Sequence, residues 1–533
     1  MKSIHQFLQK PWLYLVIIII GISLKFYHLN NRVFWYDEVC TIVHTSGIPL
    51  YEYDALIPAN KITNVQEYRR WIELKKNDLS MGQELKGLFT STNLNPLHYP
   101  FLMVWYRLIG DKPLHYRLFS VFMFLVSLPL LFFLARKLFE SSLAGWIAVS
   151  LFSVAPMIQF FSQEARYMTL MIFFLLASNY FLLIAAQRNK WKWWIVYMLV
   201  SVLALYTSVL SGLVLFGHLI YILWIKRKVW LKYSLILLAI LLLYSPWIYS
   251  MLIHRHEIIF SLSWQKHILS NISFFKPFFY HLLGFACTFS YFDHSALREI
   301  VLENKILENW LIILIDVLIA IFIIYAIIYT LRRIKKWQAW FMALIFFPHL
   351  IFSLLTDLIR GAIGSIFFRY HTTIFIGLIL FIAFLISDKL IRARFAFLLF
   401  YIAIIFISLL SSFRITRNPC FWVSGCEPAM QTAKELSNSE FPLVITGYAT
   451  PVEPRLAGFM VTLIESDWKN MDILRADPDI ENVKDLIKGH EYTDIYICYA
   501  SDELVDNLKI QLGEENIKKI DLPGNFPVWR IKF

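Results

Sequence analysis

Charged residues are scarce in this sequence. Asp, Glu, Lys and Arg make up only 17% of its 533 residues, whereas hydrophobic residues make up 58%. Because a soluble globular domain carries about 25% charged residues, most of this chain falls outside that class. Apolar segments long enough to cross a hydrocarbon core of about 30 Å recur between residues 12 and 412. The composition therefore predicts a polytopic α-helical membrane protein.

Long apolar segments are missing after residue 412, and this shift is the boundary that the composition supports. We expect a transmembrane domain at 1–412 and a small soluble α/β domain at 413–533. Alternating and helical patterns in the second part predict strands at 443–447, 494–499 and 528–533, and helices at 483–489 and 503–512. This domain contains no catalytic motif, so we interpret it as an accessory domain.

Cysteine is also rare, with five residues and no zinc-binding spacing. Cys420 and Cys426 lie close together in the sequence, where either a small disulfide loop or two free thiols can occur. The first apolar run has no small-residue cleavage site after it, which indicates an uncleaved first helix. No internal repeat is present, so the inverted-repeat plan of many transporters has no support.

The formal net charge of +12 does not indicate nucleic acid binding, because Lys and Arg are grouped in short clusters between apolar runs. Such clusters mark cytoplasmic loops. They predict eleven crossings with the N-terminus inside, near 12–28, 115–135, 143–158, 166–187, 193–209, 211–225, 232–250, 309–331, 337–356, 370–387 and 394–412. Two further apolar stretches, 97–110 and 274–291, are not expected to cross. The loops 29–96, 251–308 and 357–369 and the soluble domain then face the extracytoplasmic side.

Adjacent acids follow the first helix, where Asp37 and Glu38 come directly after an aromatic cluster. A carboxylate at a membrane boundary can act as a general base, and two carboxylates can hold a divalent cation. The alternative is structural, with Asp37 capping a helix over 38–45. The residue pattern leaves metal binding, and any other cofactor, open.

Three other segments place polar residues at the same predicted membrane face. They contribute His98 at the start of a non-crossing stretch, Glu164, Arg166 and Tyr167 between two helices, and Arg369 with Tyr370 at an outer helix end. Each Arg by itself can snorkel toward water or bind a phosphate. Their convergence on one face favours a functional site, because independent snorkelling does not require it.

These motifs, together with Arg117-Leu118-Phe119-Ser120, occur in a familiar order. The chain resembles the bacterial protein-mannosyltransferase and aminoarabinose-transferase-like glycosyltransferases of the GT-C fold, over residues 8 to about 412. The resemblance implies transfer of a sugar from a polyprenyl-phosphate donor to an envelope lipid, glycan or protein, with inversion, at the outer face of a bacterial plasma membrane. It makes Asp37 the base and Glu38 its neighbour in acceptor or metal contacts.

The same resemblance implies that Arg166 and Arg369 bind the donor phosphate, that Glu164 supports the pocket, and that Tyr167 and Tyr370 flank the sugar or phosphate. His98 and Arg117 belong to the same candidate donor site. The family pattern has His-Pro-Pro where this chain has Asn95-Pro96-Leu97, and whether His98 replaces that histidine stays open. A polar insert at about 51–92 is a candidate for acceptor selection.

Two other functions remain as alternatives, a transporter or flippase for a lipid-linked sugar and a structural subunit. A transporter places its polar groups near the bilayer midplane, whereas most acids and arginines here flank the predicted crossings. Asp316 and His218 lie inside apolar runs, and both suit either a functional role or a hydrogen bond to a neighbouring helix.

Overall fold

A computed structural model of the chain describes residues 10–47, 58–76, 79–90, 96–256, 258, 276–291, 310–360, 368–392, 394, 396–420, 426–447, 454–522 and 527–532. Its first helices, in chain order, are α1 Pro11–Phe26, α2 Tyr36–Thr45, α3 Gln66–Arg69, α4 Met81–Thr90, α5 His98–Ile109, α6 Pro113–Phe139, α7 Ser142–Val154, α8 Pro156–Ser162, α9 Met168–Arg188, α10 Trp191–Thr207 and α11 Ser211–Ile225. The remaining helices are α12 Trp230–Ile253, α13 Lys276–Ala286, α14 Trp310–Arg333, α15 Lys336–Arg360, α16 Thr372–Ile391, α17 Ala396–Arg417, α18 Cys426–Ser437, α19 Pro454–Glu465, α20 Val483–Ile487 and α21 Asp502–Leu512.

Apolar helices stand at all eleven positions where crossings are predicted. Within the described residues, seven are long and apolar enough to cross a membrane, and the count is eight if the pair α7 and α8, bent by 62°, forms one span. The helices α1, α10 and α11 are apolar but shorter. These helices support a multi-pass membrane protein, while the count of eleven and the orientation stay predictions. At ~1.5 Å per residue, α5 and α13 are too short to cross by themselves.

The contacts divide the chain into two units, and the first consists of Met1–Leu29, Thr92–His98 and Arg117–Arg417. At its centre α16 is almost entirely buried, because its side chains are apolar around the whole helix. Helices approach closely where side chains are small. A side chain at Gly21 of α1 would collide with Ser153 of α7, and one at Gly217 of α11 with Leu344 of α15.

The second unit consists of Asn30–Ser91, Tyr99–Tyr116 and Asn418–Phe533, and it contains a six-stranded sheet. The strands are β1 Lys61–Asn64, β2 Pro442–Thr446, β3 Asp472–Arg475, β4 Asp494–Ile497, β5 Ile517–Ile520 and β6 Val528–Ile531. Their order is β1-β3-β2-β4-β6-β5, with β2 parallel to β3 and β4 and the other pairs antiparallel. Strands β2, β4 and β6 occupy the predicted positions.

The edge strand β1 belongs to the polar insert of the first long loop, some 400 residues away from its partner strand. It pairs with β3 so that Ile62 lies opposite Leu474, and Ile62 packs against the core that the sheet forms with α20 and α21. The amide of Asn60 donates to the carbonyl of Arg475, and the side chain of Asn60 exchanges two hydrogen bonds with Asp477. The insert and residues 442–531 therefore form one sheet.

The rest of the insert is held by a buried acid. Glu84 of α4 accepts a hydrogen bond from Tyr106 at 2.5 Å and forms an ion pair with Arg107 at 2.7 Å. Both partners lie on α5. Gly87 of α4 packs directly on the backbone of Gly47 at the end of α2. Since Gly47 has a φ of +72°, a larger residue is disfavoured there both by its backbone and by the space available.

We predict that Ile62→Asp destabilises the edge of the sheet, because a charge would replace an apolar side chain packed on the core. Loss of this half-buried contact should cost roughly 1–2 kcal/mol. Hydrogen exchange of residues 472–475 and limited proteolysis of the purified protein measure the effect. Lys61→Asp is the matched control, since Lys61 is exposed on the same strand, and equal behaviour of the two variants would contradict the prediction.

Candidate active site

The C-terminal end of α1 is closed by two glutamines of the following helices. Gln159 of α8 donates to the carbonyl of Leu24 at 2.9 Å, and Gln163 donates to the carbonyls of Leu24, Lys25 and Tyr27 at 3.0–3.2 Å. The ammonium of Lys25 is fully buried, donates to Gln159 at 2.7 Å and lies 5.0 Å from the ring centroid of Phe124. A helix end satisfied by side chains in this way needs no water. We call Lys25, Gln159 and Gln163 the glutamine cap.

Directly after the glutamine cap, residues 164–167 connect α8 to α9. Glu164 is 1% exposed, and its carbonyl accepts a hydrogen bond from Ser120 of α6 at 2.5 Å. Arg166 is half-buried, and its guanidinium carbon lies 5.8 Å from the ring centroid of Tyr167. The segment thus carries a carboxylate and a guanidinium that are fixed through the backbone.

His98 lies against this segment, at the start of α5. Its ring is 1% exposed, lies close to the backbone of Ala165 and packs 5.7 Å from the ring of Phe119. Burial lowers the pKa of His98 to about 3, and the nearby charge of Arg166 lowers it as well. A neutral imidazole can donate or accept a hydrogen bond, but it adds no charge to the site.

The structure therefore brings together four of the sequence-predicted donor-site residues, His98, Glu164, Arg166 and Tyr167. Arg117 is buried nearby on α6, but its guanidinium donates to the carbonyl of Leu29 at 2.9 Å, which indicates a role in holding the chain after α1.

At the other predicted outer end, Tyr370 is half-buried within the 3₁₀ turn Phe368–His371, and the side chain of Arg369 lies outside the described residues. The rings of Phe161 and Phe375 are 6.2 Å apart, so the first turn of α16 lies beside α8.

Asp37 and Glu38 lie in the second unit, in the first turn of α2. The prediction that Asp37 caps this helix is wrong, because the helix begins at Tyr36 and the capping residue is Trp35. Glu38 instead accepts a hydrogen bond from the amide of Trp35 at 3.4 Å, and it is 1% exposed. Asp37 is half-buried, which leaves its carboxylate closer to solvent than that of Glu38.

Several charged groups surround the first turn of α2. Burial raises the pKa of the Cys426 thiol, Cys420, Glu38 and Glu465 raise it further, and Arg32 lowers it, so these side chains lie near one another. Both cysteines are free thiols in this structure. Among the described residues no group of three His, Cys, Asp or Glu side chains is placed to hold a metal ion.

Asp316 and His218, which the sequence analysis singled out within apolar runs, both have protein partners. Asp316 of α14 accepts a hydrogen bond from Ser290 at 2.8 Å. His218 of α11 lies 3.1 Å from both the hydroxyl of Tyr197 and the amide oxygen of Asn179. These contacts favour a structural role for both residues.

Sequence reasoning missed several buried polar residues. Lys25 and Gln159 are hidden within apolar runs, where the only signal is a polar residue one turn from a helix end. Glu84 is buried and Glu465 is half-buried, yet in the sequence both look like ordinary surface acids. Three histidines also lie close together, namely His281 within α13, His349 within α15 and His371 directly before α16, with ring centroids 5.2 and 6.1 Å apart for the pairs that include His371. A sequence pattern cannot reveal such a cluster across three helices.

Residues 95–250 match the family model described as dolichyl-phosphate-mannose-protein mannosyltransferase. The resemblance to the protein-mannosyltransferases is confirmed for this part of the chain. The matched range contains His98, Arg117, Glu164, Arg166 and Tyr167, and it supports a membrane glycosyltransferase. A comparison with curated proteins gives no match.

Solved structures similar to this chain include two of ArnT from Cupriavidus metallidurans and one of an oligosaccharyltransferase from Archaeoglobus fulgidus. ArnT bound to undecaprenyl phosphate has a TM-score of 0.45 at 13% identity, covering 97% of this chain and 98% of that chain. Apo ArnT has a TM-score of 0.38 at 14% identity, covering 93% and 97%. The oligosaccharyltransferase, in complex with zinc and sulfate, has a TM-score of 0.43 at 11% identity, covering 87% and 62%.

We predict that His98→Gln makes the protein less sensitive to acid. Because the folded-state pKa of His98 lies below its usual value of 6.5, its contribution to stability is complete above pH 6.5 and is lost as the pH falls toward about 3. Each pH unit in this window disfavours the folded state by up to about 1.4 kcal/mol.

Thermal unfolding of detergent-purified protein between pH 7.5 and 4.5 measures this effect. The apparent midpoint of the wild type should fall more steeply than that of His98→Gln. His490→Gln is the control, because His490 is exposed. Parallel curves for the wild type and His98→Gln would refute the assignment of a buried, neutral His98.

Proposed function

We propose that this chain is a membrane glycosyltransferase of the GT-C type. It transfers a sugar from a polyprenyl-phosphate donor to an envelope lipid, glycan or protein at the outer face of the plasma membrane. The observation that carries this proposal is the family match over residues 95–250, because the matched range includes the cluster of His98, Glu164, Arg166 and Tyr167. The name of that family specifies a sugar carried on a polyisoprenoid phosphate.

The chemistry proposed for the donor side is electrostatic. Arg166, whose guanidinium lies beside the ring of Tyr167, binds the donor phosphate, and Arg369 is its proposed partner. A guanidinium stabilises the negative charge that develops on the phosphate as the sugar leaves. His98 stays neutral and adds a hydrogen bond to the same site. Glu164, which is buried two residues before Arg166, is proposed to balance the local charge.

On the acceptor side we assign the general base to Asp37 rather than to Glu38. Glu38 is buried and bonded to the amide of Trp35, whereas Asp37 is half-buried. In a single displacement, the acceptor oxygen bonds to the anomeric carbon while the bond from that carbon to the phosphate oxygen breaks. The acceptor proton passes to Asp37, the polyprenyl phosphate leaves, and the configuration at the sugar inverts.

The alternative of a transporter or flippase for a lipid-linked sugar shares the proposed phosphate site but has no need of a base. The partners found for Asp316 and His218 favour the enzyme, because a transport route needs polar groups within the membrane that are available to substrate or ion.

We predict that Asp37→Asn lowers sugar transfer by about 10²- to 10⁴-fold, because an amide cannot accept the acceptor proton. The measurement is incorporation of radiolabelled sugar from polyprenyl-phosphate donors into an envelope extract by membranes containing purified protein. Asp502→Asn is the matched control, since Asp502 is an exposed acid in the first turn of α21.

Equal labelling by the wild type and Asp37→Asn would remove Asp37 from the chemistry. If the wild type labels no acceptor from any donor but moves the lipid-linked sugar across vesicle membranes, the transport alternative replaces the enzyme.

A further inference from the structure

We infer that Glu465 of the C-terminal segment is a positioning residue for the acidic helix α2, so that the C-terminal segment forms a working part of the acceptor side of the enzyme. This inference rests on the proposed function, because it is Asp37 of α2 that acts as base there. The claim that Glu465 holds the chain directly before Asp37 and Glu38 does not depend on whether Asp37 is the base.

Three successive backbone amides precede the first turn of α2, and each donates to a different acceptor. The amide of Val33 donates to the carbonyl of Pro419 at 3.2 Å, that of Phe34 to the carboxylate of Glu465 at 3.0 Å, and that of Trp35 to Glu38 at 3.4 Å. Two of these acceptors come from residues that follow the last apolar helix. The path of the chain into Asp37 is therefore set by the C-terminal segment.

Glu465 can hold this path because its own helix is fixed. It is the last residue of α19, which packs against α2. Thr462, one turn earlier, lies 2.8 Å from the hydroxyl of Tyr499, and the ring of Phe459 packs at a tilt against Tyr499 and edge-on against Tyr68, with centroids 5.9 and 5.8 Å away. Since Tyr499 lies two residues after the end of β4, α19 is anchored to the sheet, and Glu465 is held with it.

The rate of proton transfer depends on where the base is held. A displacement of about 1 Å at a reacting group can cost about 10²-fold in rate. Glu38 cannot hold the segment alone, because it lies on the same helix and moves with it. Glu465 is attached to a different element, so it fixes α2 relative to the sheet.

The test compares Glu465→Ala with Glu465→Gln. Glutamine keeps an oxygen that can accept the hydrogen bond of Phe34, whereas alanine removes it. Glu503→Ala is the matched control, because Glu503 is an exposed helical acid of the same C-terminal segment. Two readouts are taken on the full-length protein, amide hydrogen exchange of residues 32–40 and the kcat and donor KM of sugar transfer.

We expect Glu465→Ala to speed exchange in residues 32–40 and to lower kcat by about tenfold or more, with an unchanged donor KM. Exchange in β2 and β4 should stay slow, which shows that the sheet remains folded. Glu465→Gln and Glu503→Ala should resemble the wild type in both readouts. Glu465→Asp, whose carboxylate is shorter by one methylene, should show the alanine defect in milder form.

Unchanged exchange in residues 32–40 of Glu465→Ala would overturn the inference, and so would a glutamine variant as impaired as the alanine variant, since charge rather than position would then matter. Unfolding of the sheet in both Glu465→Ala and Glu465→Asp would also overturn it, because Glu465 would then serve folding. If the wild type transfers no sugar, the proposed function fails, and the exchange data still decide whether Glu465 holds the segment.

Discussion

The first unit depends on one constraint, which is that the backbone carbonyls at the end of α1 must be hydrogen-bonded where water is excluded. The glutamine cap meets this constraint, since Gln159 and Gln163 supply the donors for Leu24, Lys25 and Tyr27. An unsatisfied buried carbonyl costs about 1–3 kcal/mol. Because the cap avoids this cost, it also fixes the end of α8 and thereby the positions of Glu164 and Arg166, which follow. The helix-capping requirement thus helps to place the candidate donor-site residues, which follow directly after the cap.

In the second unit the same type of requirement distinguishes the acids of the first long loop from one another. Glu38 accepts a hydrogen bond from the amide of Trp35, which caps its helix, and Glu84 is bound to Tyr106 and Arg107, so both serve the packing of the first long loop. Asp37, which is less buried than either, keeps the better access to solvent. Neighbouring acids of the same type therefore take different roles, because their backbones present them to different partners.

The sheet links the polar insert to the C-terminal segment by ordinary strand pairing. Strand β1 covers the edge of β3, and an uncovered edge would offer unpaired amides and carbonyls to other chains. The insert thereby protects a sheet edge, and the loop that carries Asp37 is held at β1 as well as at Phe34. The interpretation of residues 413–533 as a separate soluble domain does not anticipate that β1 joins this sheet. Pairing between strands some 400 residues apart leaves no local pattern in the sequence.

The sequence by itself determined the positions of the apolar helices, because length and the absence of charge are local properties that the bilayer selects directly. It also determined the strands β2, β4 and β6 and the order of the motifs that resemble the protein-mannosyltransferases. Tertiary structure alone decided that Lys25 has an amide partner, that α2 begins at Tyr36 with Glu38 bonded to the amide of Trp35, that Arg117 holds a carbonyl, and that Glu465 reaches the amide of Phe34. Each of these depends on a hydrogen bond between groups distant in the chain or on where a helix begins. The chemical type of a residue does not reveal which partner its polar groups will bond.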